Sequence, residues 1–484
     1  MKIYSWIMTL VYICNIITIL YMIFKEKRNS TSVICWTLIL SGAPAIGLFA
    51  YILVGRKISQ SKMYGVSEAN AKVYQDFKEK MQEDTARHTN EISKENLDMI
   101  QCLENMSYSP YREGNDIKFF DDGKIMFNQL KEDLRKAKKY INFQFYILKL
   151  DGIGKELLDI MTEKLKEGVE VRILYDALGG RTIKRHDFDE FKKLGGKVGE
   201  FFPTKILPIN ININHRNHRK IVVIDGNLGY VGGFNVGDEY LGLDKKFGYW
   251  RDTHIRIEGN AVKDLNLRFK SDWEYATKEG KFIHEPFTCL LSEATEKNCG
   301  NTGVQIMSSG PNERNLFEIK MGYLKMIQRA KDYIYIQSPY LILDYSILDA
   351  IKLAALSGVD VRIMIPGKGD HPFVYWANLA YAGEIVRYGV KIYHYDANAF
   401  IHSKTVVIDD KICAIGTANM DTRSFELNFE VCAFMYGEEI AKTQREAFER
   451  DMKKSTEMSQ QEYDNRSQMV KIKEGFSRLF SLVL

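Results

Sequence analysis

The sequence carries no surplus of charge. Its 67 basic and 63 acidic residues leave a net charge of +4 over 484 residues. A chain so balanced lacks the strong positive field that gathers nucleic-acid backbones, so no nucleic acid is expected as partner, while mild basicity suits work near anionic lipid. Cysteine pairs are missing too. The seven cysteines (Cys14, Cys35, Cys102, Cys289, Cys299, Cys413 and Cys432) form no CxxC spacing and are odd in number. That argues against a disulfide framework or a zinc site and favours a reducing compartment. No His/Asp/Glu run has the spacing of a metal site, so neither a metal nor another cofactor is expected. Hydrophobic and charged fractions of 45% and 27% are those of a folded chain, which excludes wholesale disorder and a many-pass membrane protein. The length suffices for two or three domains.

Long apolar runs are confined to the start. Residues 3–24 and 32–55 are free of charged side chains, and each is long enough to cross a hydrocarbon core of about 30 Å. A cleaved signal peptide would be shorter and would not be followed by a second run. The expectation is a membrane hairpin over residues 1–56, with Gly42, Ala43, Pro44 and Ala45 suited to close packing or a kink. The loop between the runs holds Lys25, Lys27 and Arg28, against Lys2, Arg56, Lys57, Lys62 and Lys72 on the other side. This bias favours a cytoplasmic body by the positive-inside rule. Residues 57–112 are polar and helix-prone at first and read as a linker helix region.

Beyond the linker the chain repeats itself. AKKYINFQFYIL at 137 returns as AKDYIYIQSPYL at 330, GVEVRIL at 168 as GVDVRIM at 358, His218 as His402, and Asn235 as Asn419. The offsets drift slowly, from 193 through 190 to 184, as they do in a duplicated domain with small loop changes. Each half reads strand, amphipathic helix, strand, helix, strand, and then a strand pair carrying a shared motif. Alternation of this kind implies an α/β fold of two sandwich halves, over residues 113–295 and 296–484.

The shared motif is HRKIVVID at 218–225 and HSKTVVID at 402–409. Read as extended strands, His218 and Lys220 share a face, as do His402 and Lys404. Asp225 and Asp409 sit at tight turns, where a carboxylate bonds backbone amides, and are read as organising the motif. Asn235 and Asn419, on the return strands, could donate to the ligand that the lysines grip. His88, His186, His284 and His371 receive no role. Two imidazoles and two ammonium groups converging across a pseudo-two-fold axis suit a phosphodiester. The lysines would neutralise the non-bridging oxygens, one histidine would attack phosphorus, and the other would protonate the departing alkoxide.

These motifs, with GGFN and GTAN after them, resemble the phospholipase D superfamily over roughly residues 115–440. GGFNVGDEYLG (232–242), YWRDTHIRIEG (249–259), GTANMDTRSFELNFE (416–430), the paired apolar runs and the short apolar end SRLFSLVL are similar to the bacterial cardiolipin synthases within it. The resemblance implies two phospholipase-D-like halves around a pseudo-two-fold active site, preceded by two transmembrane helices, with a membrane-proximal C-terminal tail. It implies a catalytic set of His218, Lys220, Asp225, His402, Lys404 and Asp409, supported by Asn235, Asn419, Asp252 and Glu430. Glu430 would orient His402, Asp252 would be its counterpart in the first half, and His218 would be the nucleophile. The implied reaction is transfer of a phosphatidyl group between two phosphatidylglycerol molecules through a phosphatidyl-histidine, giving cardiolipin and glycerol at a cell membrane. A hydrolytic phospholipase, a synthase using phosphatidylethanolamine, a nuclease and an inactive scaffold are the alternatives.

Overall fold

Aspartates start helices in both halves. In the computed structural model, which describes residues 2–26, 28, 30–56, 91–107, 109–203, 214–278, 298–311 and 316–479, strand β1 (Arg112–Asp122) ends at Asp122. Its carboxylate accepts the amides of Lys124 and Ile125 at 2.9 and 3.2 Å and so caps helix Gly123–Lys136. Asp151 and Asp344 cap the helices that follow the next strand in the two halves in the same way. Each satisfies amide donors that a helix start leaves unpaired. Most of the expected linker helix (57–90), the join between the halves (279–297) and the last residues (480–484) lie outside the described residues.

The first half continues with β2 (Tyr140–Phe145), β3 (Glu170–Asp176), β4 (Lys197–Phe201), β5 (Ile221–Ile224), β6 (Leu228–Gly232) and β7 (Tyr249–Glu258). The second contains β8 (Thr302–Ser309), β9 (Tyr333–Gln337), β10 (Leu341–Ile342), β11 (Asp360–Pro366), β12 (Lys391–Tyr395), β13 (Ala399–Ile401), β14 (Thr405–Ile408), β15 (Ile412–Gly416), β16 (Met420–Asp421), β17 (Glu430–Tyr436) and β18 (Thr456–Met458). In space the first half runs β1-β7-β6-β5-β2-β3-β4 and the second β8-β17-β15-β14-β9-β11-β12. Position for position these are one topology, each with a parallel trio (β2-β3-β4; β9-β11-β12) and antiparallel strands inward of it; in the second half β18 adds antiparallel outside β12. The duplication read from drifting offsets is therefore a duplication of strand order. β1 pairs antiparallel with β8, so a single mixed sheet passes through both halves. One apolar cluster lies under the helices of each half. A third, containing Val223, Ile255, Val304, Val407 and Val431, belongs to both halves and seals them together.

The N-terminal region differs from expectation. Helix α1 (Lys2–Phe24) is long and apolar enough to cross a membrane. The second run is not one helix. It forms α2 (Ser30–Gly42) and α3 (Pro44–Ala50), then a wider turn over Tyr51–Gly55. The break has a local cause. Pro44 has no amide hydrogen, so the Leu40 carbonyl four residues earlier loses its helical partner. Asn15, buried in α1, replaces it: its amide donates to Leu40 O at 2.8 Å and to Pro44 O at 3.1 Å.

The motif aspartates take the place expected of them. Asp225 and Asp409 stand at φ +54° and +51° in the turns after β5 and β14. The Asp225 carboxylate accepts the amides of Lys138, Lys139 and Tyr140 at 2.8, 2.7 and 3.0 Å. Asp409 accepts those of Lys331, Asp332 and Tyr333 at 2.8, 3.0 and 2.9 Å. Each ties the motif turn to the start of the neighbouring strand. Asp225→Ala strands three amides and puts alanine at positive φ. It should lower unfolding free energy by about 1–3 kcal/mol, with Asp225→Asn losing less, as read by urea unfolding of the detergent-solubilised protein.

Candidate active site

The motif residues do not lie within the strands. β5 begins at Ile221 and β14 at Thr405, so His218–Lys220 and His402–Lys404 are the extended approaches to them. Both approaches bond to the opposite half. The His218 amide donates to Phe429 O at 2.9 Å, and the Phe429 amide donates to Arg216 O at 2.8 Å. In the other copy β13 lies parallel to Tyr249–Arg251, and the His402 amide donates to Arg251 O at 2.7 Å. Each motif is thus laced, by backbone, to the segment that opens β17 or β7 in the opposite half.

This lacing corrects the expected carboxylate partners. Phe429 is followed by Glu430 and Arg251 by Asp252, so the pairs cross. His218 Nδ1 meets Glu430 Oε2 at 2.9 Å and Oε1 at 3.1 Å, and His402 Nδ1 meets Asp252 Oδ2 at 2.7 Å. Glu430 does not orient His402, nor Asp252 His218. Both carboxylates are wholly buried. Burial alone would raise their pKa. Lys404 and His402 nevertheless hold Asp252 below the ordinary carboxylate range, and His218 and Lys220 do so for Glu430. Both acids are therefore anions, and each imidazole places its proton on Nδ1 to donate to one. That leaves Nε2 of both rings as the basic, nucleophilic nitrogen, and neither Nε2 has a hydrogen bond among the described residues.

The lysines are as buried as the acids. Lys220 Nζ donates to His218 O at 2.7 Å and lies 5.5 Å from the centre of the Tyr146 ring. Lys404 Nζ donates to His402 O and stands 2.8 Å from His402 Nδ1. Burial brings Lys220 down to about 7 and Lys404 to about 8. It also lowers both histidines, His402 to about 4 with the help of Lys404. The charge of Lys404 acts on His218 and that of Lys220 on His402, so the four groups form one electrostatic site. Its cations are crowded together and gain by receiving an anion. Aromatic rings frame the imidazoles, Tyr146 edge-on to His218 at 5.0 Å and Trp250 against His402 at 5.3 Å.

The asparagines follow the return strands and do not lie on them. Asn235 accepts the Ile147 amide at 3.0 Å and donates to Tyr240 Oη at 3.3 Å, while Asn419 donates to Asp421 at 3.1 Å. Each side-chain nitrogen is thus engaged within its own half, while Asn419 Oδ1 is buried without a hydrogen-bond partner among the described residues. The difference between GGFN and GTAN is explained by the acids. Thr417 donates its hydroxyl to Glu430 Oε2 at 2.5 Å. At the matching Gly233 a Cβ would fall 1.9 Å from Asp252 Oδ1. The glycine makes room for one carboxylate, and the threonine holds the other.

Several residues of the site were not singled out in the sequence. Arg219, between the motif His and Lys, donates to both oxygens of Asp272 at 2.6 and 2.8 Å and to the carbonyls of Glu430 and Ser309 at 3.0 Å. Arg251 pairs with Asp451 at 2.8 Å. The alternation that put Arg219 on the far side of the motif was its only signal. His215 is buried, with Nδ1 at 3.1 Å from Leu427 O and Nε2 at 3.1 Å from Arg56 O, and Asn214 donates to Val54 O at 2.9 Å. The end of the N-terminal helical segment is thereby bonded to the residues that lead into the first motif. Among the described residues, no group of three or more His, Cys, Asp or Glu side chains is placed to hold a metal ion.

With this geometry in view, a family model described as the cardiolipin synthase, PLD-like domain matches residues 130–273 and 323–452, one segment in each half. The major cardiolipin synthase ClsA of Bacillus subtilis strain 168 is 44% identical over 493 aligned positions, covering 100% of both chains. A cardiolipin synthase of Staphylococcus aureus strain Mu50 is 46% identical over 482 positions, covering 98% of this chain and 95% of that one. Among solved structures, the phosphatidylserine synthase of Haemophilus influenzae Rd KW20 superposes with a TM-score of 0.61 over 80% of this chain and 99% of its own. At 17% identity that likeness concerns the fold alone.

The depressed lysines set a pH test. In the empty site Lys220 and Lys404 are partly deprotonated near pH 7–8; a bound phosphate raises both toward their ordinary values. Binding of a dialkyl phosphate, which stays a monoanion throughout, should therefore take up protons in that window and weaken as pH rises through it. Calorimetry in two buffers of different ionisation enthalpy measures the uptake.

Proposed function

The chain belongs to the cardiolipin synthase family of phospholipase-D-like phosphatidyltransferases, and we propose that it joins two phosphatidylglycerol molecules into cardiolipin and releases glycerol. The observation that carries this reading is the pair of buried imidazoles. Each has Nδ1 on a buried carboxylate and Nε2 unengaged, with two buried lysines beside them. In the first step one Nε2 attacks phosphorus. For this step the second ring is the imidazolium, having taken a second proton from solvent on Nε2; the bond from phosphorus to the terminal glycerol breaks, and the leaving oxygen takes that Nε2 proton. In the second step that imidazole, now neutral, accepts the proton of the terminal hydroxyl of another phosphatidylglycerol. The new alkoxide attacks phosphorus, the phosphorus–nitrogen bond breaks, and the first imidazole is restored. One phosphodiester replaces another, so no nucleotide is consumed. Lys220 and Lys404 offset the charge on the non-bridging oxygens, and Glu430 and Asp252 fix the tautomers.

The enzyme works at a cell membrane. α1 crosses it, α2 and α3 return as the second arm of a hairpin, and the body lies on the cytoplasmic side. The broken second run supports a hairpin because its polar break is satisfied from α1. Orientation rests on the excess of lysine and arginine beside the body.

The resemblance assigns attack to His218 and proton transfer to His402. One observation favours the reverse. Lys404 Nζ stands 2.8 Å from His402 Nδ1 and opposes its protonation, whereas among the described residues His218 meets Glu430 with no cation in hydrogen-bond contact with its ring, Lys220 acting on it only through its charge. That makes His218 the easier imidazolium.

Two measurements test these statements. Purified full-length protein given labelled phosphatidylglycerol alone, in detergent with excess chelator, should form cardiolipin and glycerol. An absolute need for a divalent ion or CDP-diacylglycerol refutes the reaction, and phosphatidic acid as the sole product makes the enzyme a hydrolase. For the histidines, the donor is a radiolabelled phosphatidyl ester with a good leaving group, which needs no general acid. His402→Ala should accumulate acid-labile, base-stable label on the protein if His218 attacks; label on His218→Ala instead reverses the roles, and label on neither removes the covalent step.

A further inference from the structure

The last described helix, Gln468–Leu479, is packed inside out. Its buried positions are polar, Glu474 at 3% exposure and Ser477 at 2%. Glu474 accepts Arg466 Nε at 2.7 Å, and Arg478 donates to Glu384 at 2.5 Å on helix Pro372–Val386. The opposite face carries Met469, Ile472, Phe476 and Leu479, which are 60%, 63%, 53% and 76% exposed. Phe373, 52% exposed on the neighbouring helix, extends that face toward Phe476 with ring centres 6.5 Å apart. The spacing of three, four and three residues gives one continuous stripe along the helix. An amphipathic helix in a water-soluble surface turns this stripe inward. Here ion pairs hold the polar side to the body and leave the apolar side outermost.

We infer that this face lies on the phospholipid bilayer as a second, peripheral contact, separate from α1 and from the catalytic cleft. Three observations select lipid over a protein partner. On the proposed reading α1, which is long and apolar enough to cross a membrane, tethers the body to one, so a bilayer is within reach. Lys471 and Lys473 lie within the stripe's own turns, and Lys473 leans over the Trp376 ring at 4.8 Å. Basic residues interleaved with a bulky apolar stripe match a headgroup region with anionic lipid above an acyl layer. The sequence also continues beyond Leu479 as Phe480, Leu482, Val483 and Leu484, prolonging the apolar character. The contact would hold the second half against the surface that supplies lipid, whichever histidine attacks.

The test uses the full-length protein with Phe476→benzoylphenylalanine, reconstituted in vesicles of phosphatidylcholine and phosphatidylglycerol. The radiolabel is placed in the acyl chains of the phosphatidylcholine, a bulk lipid outside the proposed reaction. Irradiation should attach acyl label at position 476, and at 472 in Ile472→benzoylphenylalanine. Glu446→benzoylphenylalanine, on an exposed polar face, should acquire none. A protein adduct of doubled mass overturns the inference in favour of a second copy. The absence of any adduct at both positions overturns it in favour of a water-facing helix. Cardiolipin formation, measured in the same vesicles, reports separately on the catalytic reading.

Discussion

Two anions buried at the seam between the halves set the terms for the rest of the molecule. Glu430 and Asp252 lose all contact with water, and a buried carboxylate persists as an anion only beside a compensating charge or donor. For each, that donor is an imidazole from the other half. The crossing makes the halves interdependent at the level of single protons. Neither motif is complete in its own domain, and the tautomer of each histidine is decided across the seam. The shared apolar cluster and the continuous sheet give the rigidity needed to keep these distances short.

The support around the anions is not symmetric. In the first copy the arginine of the motif runs through the seam, donating to Asp272 and to the backbone carbonyls of Glu430 and Ser309. In the second the motif has a serine at that place, bonded to Thr253 at 2.6 Å, and Arg251 with Asp451 supplies the buried ion pair. Thr417 and Gly233 differ for the same reason, since a glutamate needs a hydroxyl to steady it and the aspartate needs space. Duplication supplied two similar frames, and a few side-chain differences gave the two imidazoles unlike surroundings. A reaction in which one must be basic while the other is acidic requires such a difference.

Much of this was legible in the sequence because it is local or periodic. Strand and helix order followed from alternation, the duplication from drifting offsets, and the tasks of Asp225 and Asp409 from a turn position where a carboxylate finds amides. What sequence could not supply was the crossing. A repeat aligned on itself matches Glu430 with Asp252 and invites each to be placed with its own motif; only the backbone bonds from His218 to Phe429 and from His402 to Arg251 reveal the exchange. His215 was invisible for a related reason, since its partners are carbonyl oxygens, which have no residue type. The apolar run at 32–55 had the length of a span, and Pro44 marked its weak point, but the donor that mends it lies on another helix.

That donor bears on how the two apolar segments depend on one another. A carbonyl freed by proline has no partner in hydrocarbon, and a segment holding one cannot rest there alone at low cost. Asn15 lies 25 residues before Leu40 and on a different helix, so the carbonyl is satisfied only when the two segments lie side by side. Asn15, itself a polar burden in an apolar helix, is relieved by the same bond. A substitution at position 15 is therefore felt at Leu40 and Pro44, and the contact between the segments carries its own register.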